Sequence, residues 1–411
     1  ATHTVLSPVW LTFFLAAVFW IGWMHYIRYL HWFAQEYVLL EIQLPQEVEK
    51  SPMAMETFLS SIWNSGGEST FLARIWKGSY RQISSLEIAS TEGRIGFYLR
   101  IPIDWRNIYE ARLYSLFPGA KIIEVDDYVT PIAVQSENYN WFGTEYKKGA
   151  LDALPLKTYI DYGLDKDPKE EYKIDPLSQV LETMGSIGKD EHLWFQIVLK
   201  ARKKEEWYGF YSTHDLLVDP AKKEIVEMAK KAAERSGTIA GDATGDVQKR
   251  ASERGLTLLT EGERRRVDAI ERFLTKLPFE CGMRVLYIAR QKPQDHCRGV
   301  NIGAQINLFL PFRALNGDFE YNNLHVTRGM TYFDYPWQDI FGRKEAVRKN
   351  MFFHYKHRAF FYVPSDQVPV FLNTEELATL WHFPSSSYNI PGLTRVASRR
   401  AEAPTNLPTG E

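Results

Sequence analysis

The chain has 411 residues, and its 49 basic and 51 acidic side chains give a formal net charge of −2 at pH 7. This balance excludes a strong overall field that would draw the protein onto nucleic acid or anionic lipid. After the first 33 residues, roughly 370 residues remain, which is enough for two or three modest domains with their own cores.

The N-terminal segment is apolar and uncharged. No Lys, Arg, Asp or Glu precedes Arg28, and residues 5–27 are almost all apolar. A helix of this length crosses a hydrocarbon core of about 30 Å, and Trp and Tyr side chains crowd its C-terminal end as at a lipid–water boundary. A signal peptide would need a basic start, a shorter apolar core and a small-residue cleavage site, none of which is clear here. We therefore predict a single-pass membrane anchor over residues 1–33.

A single charged residue indicates on which side of the membrane the chain after the helix lies. Arg28 is the only Lys or Arg near the segment and lies at its C-terminal side, which favours a cytoplasmic location for the rest of the chain. The only cysteines, Cys281 and Cys297, give no disulfide framework, which agrees with a cytoplasmic domain. The expected location is the inner (cytoplasmic) membrane.

Residues 34–130 follow the order β-α-β-β-α-β. Ser51-Pro52 is typical of a helix start, and Glu92-Gly93 of a tight turn between two strands. This order is that of a ferredoxin-like module in an α+β protein, with two helices on one face of an antiparallel sheet. The expected strands are 37–44, 82–91, 94–103 and 120–128, and the expected helical core positions are Met53, Met55, Phe58, Leu59 and Ile62, then Ile108, Ala111, Leu113, Leu116 and Phe117.

Residues 131–397 predict a second, decorated ferredoxin-like module. Asp175-Pro176 starts a helix whose cap, proline and apolar register are similar to those after Lys50. An insertion over 219–262 contains a polar helix and a Gly- and Asp-rich loop, and the tail 398–411 is expected to be disordered. The other expected elements are strands at 156–163, 192–202 and 282–290 and a helix at 264–277.

No motif for catalysis, a cofactor or a metal stands out. The chain has no phosphate-binding loop, and residues 237–246, its nearest glycine-rich stretch, carry two aspartates and no suitably placed Lys. Asp295, His296 and Cys297 with the distant Cys281 do not make the two close ligand pairs of a structural zinc site. We therefore expect a protein that is not an enzyme. An unrecognised hydrolase is the alternative, but it lacks a visible nucleophile–base pair.

A basic and aromatic stretch covers residues 343–358. Cationic groups that follow phosphates, mixed with rings on which bases stack, are typical of single-strand binding. Contact with anionic lipid or an acidic partner is a second interpretation, and a solvated helix face over core aromatics is a third. The candidate contact residues are Arg343, Lys344, Arg348, Lys349, Phe352, Phe353, Tyr355, Lys356 and Arg358.

Five segments follow one another along the chain: IQLPQEVEKSPMAMETFLSSI, LKTYIDYGLDKDPKEEYKIDPLSQVLETMGSIG, LTEGERRRVDAIERFLTKLPFE, FDYPWQDIFG and FLNTEELATLWHFP. Together they resemble an uncharacterised bacterial family of membrane-anchored domains, which are found ahead of, or encoded beside, the coupling-protein ATPases of type IV secretion and conjugative DNA transfer. The likeness runs from Val38 to Pro408, and the chain stops three residues later, so the resemblance implies a stand-alone form with a separate ATPase.

The last of these segments predicts a short helix that runs into Phe383-Pro384. Its position before the tail suits a handle for an ATPase partner, whereas packing of its apolar residues on the second module is the alternative. The candidate docking residues are Glu375, Glu376, Leu377, Trp381 and Phe383.

Together these features predict a non-enzymatic, membrane-tethered component of a type IV secretion-like apparatus, which docks or positions a separate ATPase. Lipid around the N-terminal helix is one expected partner, and DNA and a second copy of the chain are further candidates. The alternative function is membrane-bound nucleic-acid binding through residues 343–358.

Overall fold

The computed structural model of the protein has a long apolar helix at its N-terminus, followed by a large antiparallel sheet with helices on both sides. The mixed α+β class and the N-terminal apolar helix predicted from the sequence are confirmed. The structure describes residues 2–46, 50–67, 70–131, 139–165, 175–203, 206–208, 212–236, 257–290, 312, 320–326, 343–361, 368–386 and 390–396.

Several helices begin at side-chain caps that the sequence contains. Ser51 and Asp175 each accept a hydrogen bond from a backbone N–H in the first turn, with proline as the next residue. Thr260 and Glu263 form a capping box, which satisfies two backbone donors at once. The helices are α1 (Thr2–Ala34), α2 (Pro52–Ile62), α3 (Phe71–Ile75), α4 (Arg106–Leu116, after a 3₁₀ turn at Ile103–Trp105), α5 (Pro176–Gly185), α6 (Val218–Arg235), α7 (Glu261–Thr275), α8 (Arg343–His357) and α9 (Thr374–Leu380).

Ten of the described strands form one sheet, and β7 and β8 form a separate hairpin. The main path has the order β10-β5-β9-β6-β2-β3-β1-β12, while β4 pairs with β1 and β11 with β9. The strands are β1 (Tyr37–Pro45), β2 (Ile83–Thr91), β3 (Arg94–Pro102), β4 (Lys121–Glu124), β5 (Tyr139–Lys148), β6 (Glu191–Ala201), β7 (Glu206–Tyr208), β8 (Ser212–His214), β9 (Pro278–Arg290), β10 (Leu324–Val326), β11 (Val370–Asn373) and β12 (Arg395–Val396).

The sheet contains the same strand order twice. In the N-terminal half the order is β4-β1-β3-β2, and in the C-terminal half it is β10-β5-β9-β6. The halves meet where β2 pairs antiparallel with β6, in register from Ile83 opposite Lys200 to Thr91 opposite His192. One continuous sheet therefore contains strands from both predicted modules, 34–130 and 131–397.

The two faces of the sheet differ in chemistry. Alternate residues of β1, β2, β3, β6 and β9 point to an apolar core that is covered by α2, α4, α5 and α9. The opposite face carries polar and aromatic side chains, among them Glu87, Trp194 and Arg284, and α8 packs on it. Helix α8, which carries eight of the nine candidate contact residues, therefore lies on this second face.

The strand predicted over 156–163 is wrong. Leu156 makes only an isolated bridge with Asn322, and the chain then turns, because Asp161 accepts a hydrogen bond from the backbone N–H of Thr158. The strand that opens the C-terminal half is β5, which pairs with β9 from Tyr139 to Tyr146.

The predicted core faces of two helices also need correction. In α4 the buried positions are Tyr109 and Leu113, followed by Phe117, whereas Ile108 and Ala111 are exposed. In α2 the prediction is confirmed except at Met53, which is exposed. The tail from residue 398 lies outside the described residues.

Helix α1 is long and apolar enough to cross a membrane, and of its side chains described from Trp10 to Ala34 only Ile27 is buried. By length and composition alone, a signal sequence would meet the same criteria. Its last turns are different, because Trp23, Ile27 and His31 follow each other at helical spacing and face the body. Gly78 has a positive φ of 64°, and a Cβ there would clash with the backbone carbonyl of Ile27.

Candidate functional site

Helix α8 contains most of the basic and aromatic stretch, and its aromatic side chains hold it on the sheet. The Tyr355 ring stacks on Trp194 with ring centroids 5.8 Å apart, and Phe352 packs against Trp141 at 5.9 Å. Met351 lies over Gly143, and a Cβ added to Gly143 would lie only 2.5 Å from the terminal methyl group of Met351. Phe352 and Tyr355 are both buried, so these rings stabilise the packing of α8 on the sheet.

Arg358, just after α8, is bound by two carboxylates. Its guanidinium donates to both carboxylate oxygens of Glu87, each at 2.9 Å, and also to Asp127. The Tyr128 hydroxyl donates to the same Glu87 carboxylate at 2.7 Å. Burial by itself would raise the pKa of Glu87, but the charge and hydrogen bonds of Arg358, together with the hydrogen bonds from the Ser85 and Tyr128 hydroxyls, outweigh burial and lower it. Glu87 is therefore an ionised carboxylate in the protein interior.

A second buried ion pair belongs to the same row across the sheet. Glu87, Gln196, Arg284 and Glu145 lie opposite one another on β2, β6, β9 and β5. Arg284 donates to Glu145 at 2.9 Å and to the backbone carbonyl oxygens of His354 and Ala359 at 3.1 and 2.8 Å. The row thus binds the C-terminal end of α8 through Glu87, Gln196 and Arg284.

The interpretation of residues 343–358 as a contact surface must be corrected at three positions. Phe352, Tyr355 and Arg358 are buried by the contacts above, so they cannot stack on bases or bind phosphates in this structure. Lys349, Phe353 and Lys356 are exposed. The side chains of the remaining candidates, Arg343, Lys344 and Arg348, lie outside the described residues.

The neighbouring residues Phe352 and Phe353 provide a direct stability test. Phe352→Ala should lower the free energy of unfolding by about 3 kcal/mol, because it leaves a cavity between α8 and Trp141. Phe353→Ala should change it much less, because Phe353 is 39% exposed. Chemical denaturation of both variants measures the difference. Equal effects would contradict the observed orientation of α8.

His354 predicts a pH dependence of stability. Burial and the charges of Arg284 and His357 lower its pKa from 6.5 to about 4. Between these values the unfolded chain binds a proton that the folded protein does not, so the free energy of unfolding should fall as the pH drops from 6.5 towards 4. Denaturation at several pH values measures this slope.

His354→Gln is the matched variant for that test. It removes the titrating group, and the slope between pH 6.5 and 4 should become smaller. Some slope should remain, because burial also lowers the pKa values of His357 and His192. An unchanged slope would show that His354 is not the group responsible.

The segment predicted to dock an ATPase lies in the interior, and that assignment is corrected. Glu375, Glu376, Leu377, Trp381 and Phe383 are each no more than 3% exposed. The apolar side chains of this segment pack on the sheet core, where the Trp381 ring meets Phe97 at 5.9 Å. The alternative of core packing is the one that the structure supports.

The two carboxylates of this segment connect distant parts of the chain. Glu376 accepts from the Lys148 ammonium at 2.8 Å and from the backbone N–H groups of Leu156 and Asn373 at 2.7 and 3.0 Å. Glu375 accepts from the Arg272 guanidinium and from the Thr158 hydroxyl. Both carboxylates are therefore committed to the fold and are unavailable to a partner.

A cleft of about 200 Å³ lies beside these carboxylates, between α7 and the turn at 155–161. Its polar walls are paired with one another, since Arg272 binds Asp161 at 3.1 Å as well as Glu375. Within the described ranges, no group of three or more His, Cys, Asp or Glu side chains is arranged to hold a metal ion. Cys281 is buried, which raises the pKa of its thiol, whereas Asp295, His296 and Cys297 lie outside those ranges.

The buried charges of the second face were missed from the sequence, although a signal was present. Gln196 and Arg284 each occupy the middle of a largely apolar strand, and Glu87 lies between Leu86 and Ile88, where a buried polar or charged group without a partner is costly. Such positions indicate partners elsewhere in the chain, but they do not identify them.

Comparison with known proteins adds no relative. No protein-family model matches this chain, and no curated protein sequence matches it. The basis for a function is therefore the geometry above together with the ordered segments quoted from the sequence.

Proposed function

We propose that this protein is a non-enzymatic, membrane-tethered component of a type IV secretion-like or conjugation-like apparatus, which holds a separate ATPase at the inner membrane. The observation that carries the proposal is α1, whose apolar side chains described from Trp10 to Phe33 are mostly exposed although the helix is joined to a well-packed body. An apolar surface of this size needs lipid or protein around it. The ordered segments supply the secretion context.

The contacts at the end of α1 support a retained anchor over a cleaved signal sequence. The Trp23 indole donates to the Ile75 carbonyl oxygen at 3.1 Å, and the His31 and Trp32 rings contact Tyr80 and His357. Removal of the segment would leave these surfaces of the body uncovered. A helix built into the fold in this way is better suited to tethering than to targeting alone.

The burial of Phe352, Tyr355 and Arg358 weakens the case for nucleic-acid binding, because it removes two stacking rings and one cation from the candidate surface. Of the nine candidate contacts at 343–358, the exposed side chains within the described part of the chain are Lys349, Phe353 and Lys356. Strong binding to a single strand needs several cations and several stacking rings. Because residues 373–384 are buried, the ATPase would have to bind another surface.

We further propose that each half of the sheet is a ferredoxin-like unit. The repeated order β4-β1-β3-β2 and β10-β5-β9-β6 supports this assignment, as do α2 and α4, which connect strands in the first half. The connection between β9 and β10 lies mostly outside the described residues. Ferredoxin-like units joined edge to edge would present a broad helical face for assembly.

The anchor is tested in the full chain by placing charge in the middle of α1. Leu15→Lys with Val18→Lys should release the protein from carbonate-washed membranes, because each Lys costs about 2.5–3.5 kcal/mol at the centre of a spanning helix. Val226→Lys, at an exposed position on α6, is the matched control and should remain in the membrane fraction. Membrane retention of the double variant would contradict the anchor.

The secretion role is tested in cells that lack this protein. The coupling-protein ATPase encoded beside it should then leave the membrane fraction, and DNA transfer should fall. Restoring the wild-type chain should reverse both effects, whereas the double-lysine variant should reverse neither. Normal ATPase localisation and transfer without the protein would overturn the role, whatever the result for the anchor.

A further inference from the structure

A second apolar surface lies next to α1. Helix α3 has only five residues and is capped by Thr70, whose hydroxyl accepts a hydrogen bond from the Ala73 N–H. Leu72 and the following Trp76 are 71% and 72% exposed, which is unusual for a large leucine–tryptophan pair on a water-soluble surface.

This surface is held against α1 by a specific contact. The Trp23 indole donates to the Ile75 carbonyl oxygen at 3.1 Å, and the Trp23 and Trp76 rings lie with centroids 5.8 Å apart. The close approach of Gly78 to Ile27 fixes the following loop at the next turn of α1. Helix α3 therefore has a fixed position along the axis of α1, at the level of Trp23 and Ile27.

The first charge after the apolar run sets this position relative to a bilayer. A hydrocarbon core of about 30 Å takes up about 20 helical residues, and residues 5–27 contain no Lys, Arg, Asp or Glu. Because a charged side chain is costly in hydrocarbon, the spanning part of α1 would end before Arg28, in the turns that contain Trp23 and Ile27. The remaining turns, with His31 and Trp32, contact Tyr80 and His357 of the body.

We propose that α3 and Trp76 form a second membrane contact, in which Leu72 and Trp76 insert at the boundary between lipid headgroups and acyl chains. Indole rings favour this zone, and the neighbouring Lys77 is exposed, where it can meet anionic headgroups. With two contacts on one side of the body, the sheet would have a fixed orientation to the membrane. The inference depends on α1 acting as the proposed anchor.

The test places a fluorescent label at Leu72 in the full chain. Leu72→Cys is made together with Cys297→Ala, while Cys281 stays because it is fully buried. The labelled protein is reconstituted in vesicles of phosphatidylcholine and phosphatidylglycerol that contain a lipid with a quencher near its headgroup. Matched labels at Leu15→Cys in α1 and Val226→Cys on α6 report the anchor and the water-exposed body. Both positions are exposed apolar residues.

We expect lipid quenching of the Leu72 label to exceed that of the Val226 label severalfold, and the Leu15 label to be protected from aqueous iodide. If the Leu15 label is protected but the Leu72 label behaves like the Val226 label, the second contact is wrong and the anchor stands. If the Leu15 label is also open to iodide, the anchor itself fails. If the Leu72 label is shielded from iodide without lipid quenching, and dilution in lipid removes the shielding, a second copy covers the patch, which also overturns the lipid contact.

Discussion

Glu376→Ala should lower the free energy of unfolding by about 3–5 kcal/mol. The Lys148–Glu376 pair is completely buried, and removal of one partner leaves the other as an uncompensated interior charge. The variant also loses the hydrogen bonds from the Leu156 and Asn373 backbone N–H groups. Urea denaturation followed by circular dichroism measures the change.

Two controls separate this structural role from partner docking. Glu376→Gln keeps an oxygen acceptor for the backbone donors and should cost less than alanine. Glu261→Ala removes an exposed ion pair with Arg265 and should leave stability unchanged. If Glu376→Ala retains full stability, the carboxylate is not needed for the fold, and docking would return as its role.

Arg358→Ala should be destabilising to a similar extent, about 3–5 kcal/mol. It leaves the Glu87 carboxylate buried without its cation and removes the two hydrogen bonds that hold the end of α8 to β2. Hydrogen exchange should show the largest loss of protection in α8, because its C-terminal end then keeps only the stacking of Tyr355 on Trp194 and the hydrogen bonds from Gln196 and Arg284.

A double variant identifies the cause of this loss. Arg358→Met combined with Glu87→Met removes both charges of the pair and should recover much of the stability lost in the single Arg358 variant. The recovery should be incomplete, because Asp127 and the Tyr128 hydroxyl also lose a partner. Additive destabilisation in the double variant would show that the two side chains act independently.

Local sequence patterns predicted much of the N-terminal half correctly. Strands β1, β2 and β3 fall within one residue of their expected bounds, because alternating apolar residues and the Glu92-Gly93 turn specify them locally. Both turn residues have positive φ, as the tight hairpin requires. The cap and proline at Ser51-Pro52 likewise fix the start of α2 without tertiary information.

Errors arose where distant partners decide the structure. The 156–163 segment contains buried residues at strand-like spacing, but Leu156 and Tyr159 are bound by α9 side chains more than 200 residues away. In α4 the sequence allows a buried face that contains either Ile108 or Tyr109, and only the packing in the folded protein shows that Tyr109 is the buried one. The basic and aromatic stretch at 343–358 was ambiguous for the same reason, because the sequence alone does not distinguish an exposed Lys or Arg from one that is buried in an ion pair.

The joint between β2 and β6 has a consequence for the protein during its synthesis. About 100 residues separate the two strands, so at a ribosomal rate of about 5–20 residues per second β2 waits for about 5–20 s with one edge unpaired. An open strand edge invites pairing with another nascent chain. Glu87 lies in the middle of β2, and an inward-pointing charge is a known deterrent to such pairing. The carboxylate that later binds Arg358 would first serve to keep neighbouring chains apart.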